Sequence, residues 1–542
     1  MSSFRNSTVY QIYIKSYCDS NGDGIGDLNG IRSRLDYLKA LGIDYIWITP
    51  FFKSPMNDNG YDIADYFSVN PMFGTMEDAE NLIREADERG IGLMFDMVFN
   101  HTSTDHEWFK RALTGDPKYM DYYIFKDPVD GHEPTNWVSK FGGNAWEYVP
   151  SLGKYYLHLF DVSQADLNWE NPAVREELKN VIRFWKMKGV KGFRFDVVNL
   201  ISKPDVFEDD HIGDGRRFYT DGPRIHEHLK ELVNDTGIAD MMTVGEMSST
   251  SLDNCVRYAN PAERELKMVF SFHHLKVDYK GGDKWALMAP DMKALRDLFK
   301  KWQEGMQEGG AWNALFWCNH DQPRAVSRFG DDKNYWKESA KMLAVLTHMM
   351  RGTPYIYQGE EIGMTNAGYT SIEEYGDVES INYYKILLEE GKSSEEALHI
   401  IGERSRDNGR TPMQWDGSEQ AGFTTGTPWL KIPDNHSYIN VASEEQDPDS
   451  ILAFYKMLVQ FRKDSEIVAD GEIRFLDTGT DDVIAYERTL KGEKLTVVCS
   501  MRGFDVPAPA VAGLEGRRLL ISNYVNAGET GVLRPYEARV IG

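Results

Sequence analysis

The sequence predicts an α/β fold: a (β/α)8 TIM barrel with a long insertion after strand 3 and a C-terminal antiparallel β domain. Three observations predict it. Short β-branched and aromatic runs alternate with longer stretches of helical period, the pattern of parallel strands joined by crossover helices. The runs number eight, which is the number that closes such a barrel. Beyond the helix-like stretch ILAFYKMLVQFRK at 451–463 the pattern changes to strands alone, among them IRFLD, VIAYER and KLTVVCS.

In chain order the strands are VYQIYI at 9–14, DYIWITP at 44–50, IGLMFDMVF at 91–99 and GFRFDVV at 192–198. MMTVGEM at 241–247, MVFSF at 268–272, NALFWCN at 313–319 and PYIYQG at 354–359 complete the set. The helices between them carry their own signals. Asn171 caps a helix with Pro172 in its first turn, Val174, Leu178, Val181, Ile182 and Trp185 on one face, and Gly189 as its stop. Thr75 with Asp78 opens another, which Gly90 ends. Two excursions, at 101–167 and about 360–450, are too long for plain connections and are expected to be functional. The expected domains are therefore a barrel over 1–100 and 168–466, an inserted domain over 101–167, and a β-sandwich over 467–542.

A chain of 542 residues exceeds what a single core supports, so appended domains are expected. Its 85 acidic against 60 basic residues give a net charge of -25, which repels phosphate backbones and excludes nucleic acid as the partner. An anionic small molecule would need a local basic patch. Cys18, Cys255, Cys318 and Cys499 show no C-x-x-C spacing, which suits a reducing compartment and gives no structural zinc. Neither a signal peptide nor a transmembrane stretch is expected. A cytoplasmic monomer without a membrane partner is the resulting expectation.

Most of the 85 carboxylates are solvated surface charges, so position must single out the chemical ones. Barrel active sites are assembled at the C-terminal ends of the strands. There Arg194 and Asp196 lie two residues apart and share one face of GFRFDVV, Glu246 ends the next strand, and His320 and Asp321 end the seventh.

FDMVFNH, GFRFDVV, VGEM and NHDQP, in that order, resemble the four short regions shared by the α-amylase family. The resemblance implies retaining hydrolysis of α-glucosides from the non-reducing end. Asp196 would be the nucleophile, Glu246 the general acid and base, and Asp321 the acid gripping the hydroxyls of the distorted sugar. Arg194 would orient Asp196, with Asp96, His101 and His320 supporting the site. Retention needs one ionised carboxylate to attack and one protonated acid to release the leaving group. NDNGYD and SRDNGRTPMQW extend the match, placing Asp58, Tyr61 and Arg410 around a terminal glucose.

DSNGDGIGD offers oxygen ligands at alternate positions, Asp19, Asn21, Asp23 and Asp27, with Gly24 at the turn and the Ile25 carbonyl available. Gly30 stands where an EF-hand has its bidentate Glu. Similar loops in related α-glucosidases imply a structural Ca2+ here, while catalysis itself needs no cofactor.

Val197 after the nucleophile resembles enzymes cleaving α-1,6 and α-1,1 links. TVGEMSSTSLDNCVRY, FSFHHLKVDYKGGDKW and WNALFWCNHDQPRAVSRFGDD resemble the branch of the family that acts on α,α-trehalose 6-phosphate. That branch implies a sugar phosphate substrate, and His274, Lys276 and Lys284 are the phosphate-binding candidates. The alternatives are an oligo-1,6-glucosidase with the same machinery and, from another class, an inactive barrel acting as a binding subunit. The retained carboxylates argue against the last.

Overall fold

The computed structural model describes residues 4–509, 516–525 and 531–542. All eight expected strands form: β1 (Val9–Ile12), β2 (Tyr45–Ile48), β3 (Gly92–Met97), β4 (Gly192–Phe195), β5 (Met242–Met247), β6 (Met268–Ser271), β7 (Ala314–Leu315) and β8 (Thr353–Tyr357). They pair in parallel in the order β6-β5-β4-β3-β2-β1-β8-β7, and a parallel bridge from Val269 to Asn313 closes the ring. Strands β1 to β4 are buried along their whole length, as expected of strands covered by helices outside and filled by side chains inside. Trp47, Phe270 and Tyr355 pack edge to face or tilted inside the barrel and plug it below the carboxylates.

The helix signals are realised. The Asn171 side chain accepts from Ala173 N–H at 2.8 Å and opens Pro172–Met187, and Thr75 and Asp78 form a reciprocal capping box on Met76–Glu88.

The insertion leaves the barrel on an antiparallel ribbon, His101–Ser103 against Gln164–Asp166, and carries a three-stranded sheet built on Lys154–Leu157. Its core joins Trp137, Trp146, Leu157 and Leu159 to Val197 and Leu200, so the inserted domain packs directly on the turn after Asp196. Lys203 rivets the two together. Its buried ammonium meets Asp166 Oδ2 and Asn100 Oδ1, each at 2.8 Å.

The 360–450 excursion holds helices Val378–Glu389 and Ser394–Arg404 on a small core of its own. Trp285, from the loop after β6, stacks on Tyr383 there with centroids 4.5 Å apart.

Helix Ile451–Asp464 closes the barrel and a short helix, Glu466–Asp470, follows it. A five-stranded antiparallel sheet comes next, with a two-stranded ribbon, Val506–Pro507 with Val532–Leu533, packed over its Val483, Ala485 and Val498. Buried Arg488 donates from this sheet to Met349 O at 2.8 Å, at the end of helix Trp336–His348, and so fastens the β domain to the barrel. All four cysteines are free and buried. No helix among the described residues is long and apolar enough to cross a membrane.

Candidate active site

Strand β4 ends at Phe195, and the next N–H, that of Asp196, donates to Met97 O at 3.0 Å, continuing the sheet contact by one residue. Val197 then takes a left-handed φ of 33°, a conformation a β-branched residue adopts only where packing enforces it. That turn fixes Asp196 at the barrel mouth. Arg194 lies beside Asp96 in the β3–β4 register, and its Nη1 donates to Asp96 Oδ1 and to Asp196 Oδ1, each at 2.7 Å. Its Nη2 meets the carboxylate of Glu246 from β5. The arginine thus bridges three carboxylates, where the sequence suggested service to Asp196 alone. Burial pushes the Asp96 carboxyl up to about 6, against the pull of Arg194.

The opposite wall comes from β7. His320 Nδ1 lies 2.8 Å from Gln11 Nε2 and its Nε2 lies 3.2 Å from Asp321 Oδ2. Burial pushes His320 down to about 3, so the ring is a neutral hydrogen-bonding group. Arg410 Nη2 donates to Asp321 Oδ1 at 2.7 Å, while its Nε donates to the His320 carbonyl at 2.8 Å. Against its desolvation, His320, Arg410 and Arg406 hold Asp321 well below the usual carboxylate range. Arg406 was not anticipated. It stands four residues before Arg410, 3.7 Å from Asp321, and is anchored by Asp377 at 2.7 Å.

Tyr61 stacks on His320 and its hydroxyl donates to Asp96 Oδ2 at 3.1 Å. His101 Nε2 sits 3.0 Å from Tyr61 O. Gln164, at the far end of the insertion and also unforeseen, donates to Asp58 Oδ2 at 3.0 Å. Desolvation pushes Asp58 up to about 7. Asp58, Tyr61, His101, Arg194, Asp196, Glu246, His320, Asp321 and Arg410 therefore gather at one site, drawn from the ends of β4, β5 and β7 and from the excursions after β2, β3 and β8.

The three phosphate candidates have different surroundings. His274 is turned into the barrel wall, where its Nε2 meets the Phe316 carbonyl at 2.9 Å among Phe299, Phe316 and Trp317, and burial pushes it down to about 4. It carries no charge to offer. Lys284 is paired with Glu379 of the 360–450 subdomain at 2.6 Å, with both side chains partly exposed. Lys276 is exposed and has no ion pair among the described residues.

In the 19–27 loop the carboxylates fold onto their own backbone. Asp19 Oδ1 accepts from Asn21 and Gly22 N–H at 2.9 and 2.7 Å, and Oδ2 accepts from Gly24 N–H at 2.8 Å. Asn21 and Asp23 each cap the residue two further on, at 2.9 Å. Gly24 has φ 89°, and a Cβ there would fall 1.8 Å from the Thr427 carbonyl, so only glycine fits. Asp27 serves as N-cap of helix Leu28–Ser33, accepting from Gly30 N–H at 2.6 Å. No three His, Cys, Asp or Glu side chains converge as a metal cluster among the described residues.

The alpha amylase catalytic-domain family matches residues 11–471. The trehalose-6-phosphate hydrolase of Bacillus subtilis (strain 168) is 51% identical, over 99% of this chain and 97% of its own. An oligo-1,6-glucosidase of Parageobacillus thermoglucosidasius is 47% identical, over 99% and 98%. Among solved structures, that of Bacillus licheniformis trehalose-6-phosphate hydrolase superposes with a TM-score of 0.96 at 52% identity, covering 99% of both chains. With the four strand-end regions converging on one pocket and a family match over most of its length, the chain belongs to the α-amylase family.

Proposed function

We propose that this enzyme hydrolyses α,α-trehalose 6-phosphate to glucose and glucose 6-phosphate with retention of configuration. The observation that carries the substrate is the end-to-end likeness to trehalose-6-phosphate hydrolases, 51% identical with 99% of the chain covered. Oligo-1,6-glucosidases share the pocket at 47% identity, which makes isomaltose-type substrates the second reading.

In the first step an oxygen of Asp196 attacks C1 of the unphosphorylated glucose, and Glu246 gives its proton to the bridging oxygen, releasing glucose 6-phosphate. In the second, Glu246 takes a proton from water, whose oxygen displaces Asp196 from C1. Arg194 holds the Asp196 carboxylate in line. Asp321, kept ionised by Arg410, grips the ring hydroxyls through charge-assisted hydrogen bonds. Comparing kcat/KM for trehalose 6-phosphate and isomaltose tests the substrate, because that ratio measures discrimination at the transition state. A strong preference for the phosphorylated sugar is expected; a preference for isomaltose would replace the reading with the second one.

The same proposal takes the enzyme as a cytoplasmic monomer, in keeping with four buried free thiols. It also takes loop 19–27 as a structural calcium site, on the oxygens of Asp19, Asn21, Asp23 and Asp27 and the Ile25 carbonyl at their alternate spacing. Calcium at about a hundredfold its Kd would add ~2.7 kcal/mol of stability. A Tm that chelator lowers and calcium restores is expected; a Tm insensitive to both would leave the loop a plain turn.

A further inference from the structure

The β4–β5 ladder ends with Phe195 opposite Gly245, so Asp196 and Glu246 are the first pair beyond it. From there β4 turns away: Asp196 N–H bonds to Met97 on the other side, and Val197 takes its φ of 33°. On the Glu246 side Ser249 has φ 55°. Neither residue is a glycine, and such conformations persist only where the surroundings enforce them.

One side chain joins the two turns. Asn199, fully buried three residues after Asp196, accepts from Ser248 N–H with Oδ1 and donates to Ser248 O with Nδ2, each at 2.9 Å. A primary amide carries the same donor and acceptor as a peptide group, so Asn199 pairs with Ser248 as a strand residue would. The amide can stand only this way round, since an N–H faces its oxygen and a C=O its nitrogen. Asp196 and Glu246 are thereby gripped between two rungs, Phe195 with Gly245 on one side and Asn199 with Ser248 on the other. Gly245 permits the close approach, because a Cβ there would fall 3.1 Å from Val198 Cγ1 and 2.5 Å from Leu266 Cδ1.

The amide is itself tied down. Nδ2 also donates to Asp221 Oδ1 at 3.1 Å, and the Asp221 N–H donates to the Asn199 carbonyl at 2.9 Å. The same carboxylate accepts from the Tyr258 hydroxyl, Thr250 Oγ1 and Asn254 Nδ2, each at 2.7 Å and each from the segment that follows Glu246. Asp221 is thus a second staple between the nucleophile turn and the acid-base loop.

Retention needs the two carboxyl groups ~5 to 5.5 Å apart. Building on the retaining mechanism above, we propose that Asn199 is a positioning residue that sets the separation and aim of Glu246 relative to Asp196, with Asp221 as its anchor. It acts by making the nucleophile turn and the acid-base loop one rigid piece.

The test measures kcat/KM for trehalose 6-phosphate and for aryl α-glucosides whose phenols differ in acidity, in the wild type, Asn199→Ala and Asp221→Asn. A poor leaving group depends on the proton from Glu246 and nitrophenolate does not, so a displaced acid steepens the dependence on leaving-group acidity. In Asn199→Ala, kcat/KM should fall about a hundredfold for trehalose 6-phosphate, the effect of a misplacement of ~1 Å, and about tenfold or less for p-nitrophenyl α-glucoside. Inhibition by glucose, which reports the sugar pocket, should stay as in the wild type. Asp221→Asn keeps both bonds to Ser248 and should show the same tilt on a smaller scale, which decides the matter if Asn199→Ala fails to fold. Wild-type rates, equal losses for all leaving groups, or a loss matched by weaker glucose inhibition would overturn the proposal. A wild type whose first-formed glucose is the β-anomer by NMR would instead overturn the retaining mechanism on which it rests.

Discussion

The ring of Tyr61 lies parallel to that of His320, with centroids 5.2 Å apart and planes 3° from coplanar. One residue comes from the loop after β2 and the other from the end of β7, so the stack spans the pocket and joins the Asp96 side to the Asp321 side. Tyr61→Phe keeps the stack and removes only the hydroxyl bond to Asp96 Oδ2. A fall of about tenfold in kcat/KM is expected, the worth of one hydrogen bond to a charged group. Tyr61→Ala should lose more, since the stack goes too. Equal losses in the two variants would show that the ring contributes nothing.

Glu246→Gln separates the acid role from mere charge. A sugar alkoxide cannot leave unprotonated, whereas nitrophenolate can, and general acid catalysis contributes roughly 10²–10⁴-fold. In this variant kcat/KM, which reports the glycosylation step, should fall far more for trehalose 6-phosphate than for p-nitrophenyl α-glucoside. Equal losses would remove Glu246 from proton donation.

The Lys203–Asp166 pair should matter for stability rather than rate. Lys203→Ala strands a fully buried carboxylate at the root of the insertion, and a loss of roughly 3–5 kcal/mol in unfolding free energy is expected from chemical denaturation. Replacing both residues by apolar side chains of similar size should cost less than the single change, because no unpaired charge remains. A larger loss in the double variant would contradict this.

Stability should fall on both sides of a maximum, for opposite reasons. Burial holds His320 and His348 at about 3 and His106, His273 and His274 at about 4. An unfolded histidine titrates near ~6.5. Between those values the unfolded chain binds protons that the folded chain refuses, so this contribution is complete above ~6.5 and drains away as pH falls toward 3 to 4. Glu360 is the reverse case. Burial holds its carboxyl at about 8 while the unfolded group ionises near ~4.3, so stability declines as pH rises across that interval. Thermal scans of Glu360→Gln should show a flatter decline above pH ~6.5 and a steeper rise between ~4.3 and ~6.5, where the Glu360 and histidine contributions oppose each other; an unchanged slope above ~6.5 would exclude Glu360.

Much of the fold and of the reacting set was legible because local signals and strand-end position coincide. The eight buried runs, the Asn171 and Thr75 caps, and the placing of Arg194, Asp196, Glu246 and Asp321 at strand ends all depend on spacing of 2 or 3.6 residues, which a sequence displays directly. Gln164, Arg406 and Lys203 were not legible, since each acts on a partner dozens of residues away or more. The partners of His274 and Lys284 were illegible for the same reason: they are Phe316 O and Glu379, 42 and 95 residues on.

By itself, then, the sequence determined the barrel, its family and the residues at the strand ends, because periodicity and short contiguous regions carry them. Only the tertiary structure decided which charges remain available at the pocket rim. An ammonium is paired or left unpaired by what long-range packing brings beside it, as Glu379 is brought to 2.6 Å from Lys284 and Asp166 to 2.8 Å from Lys203.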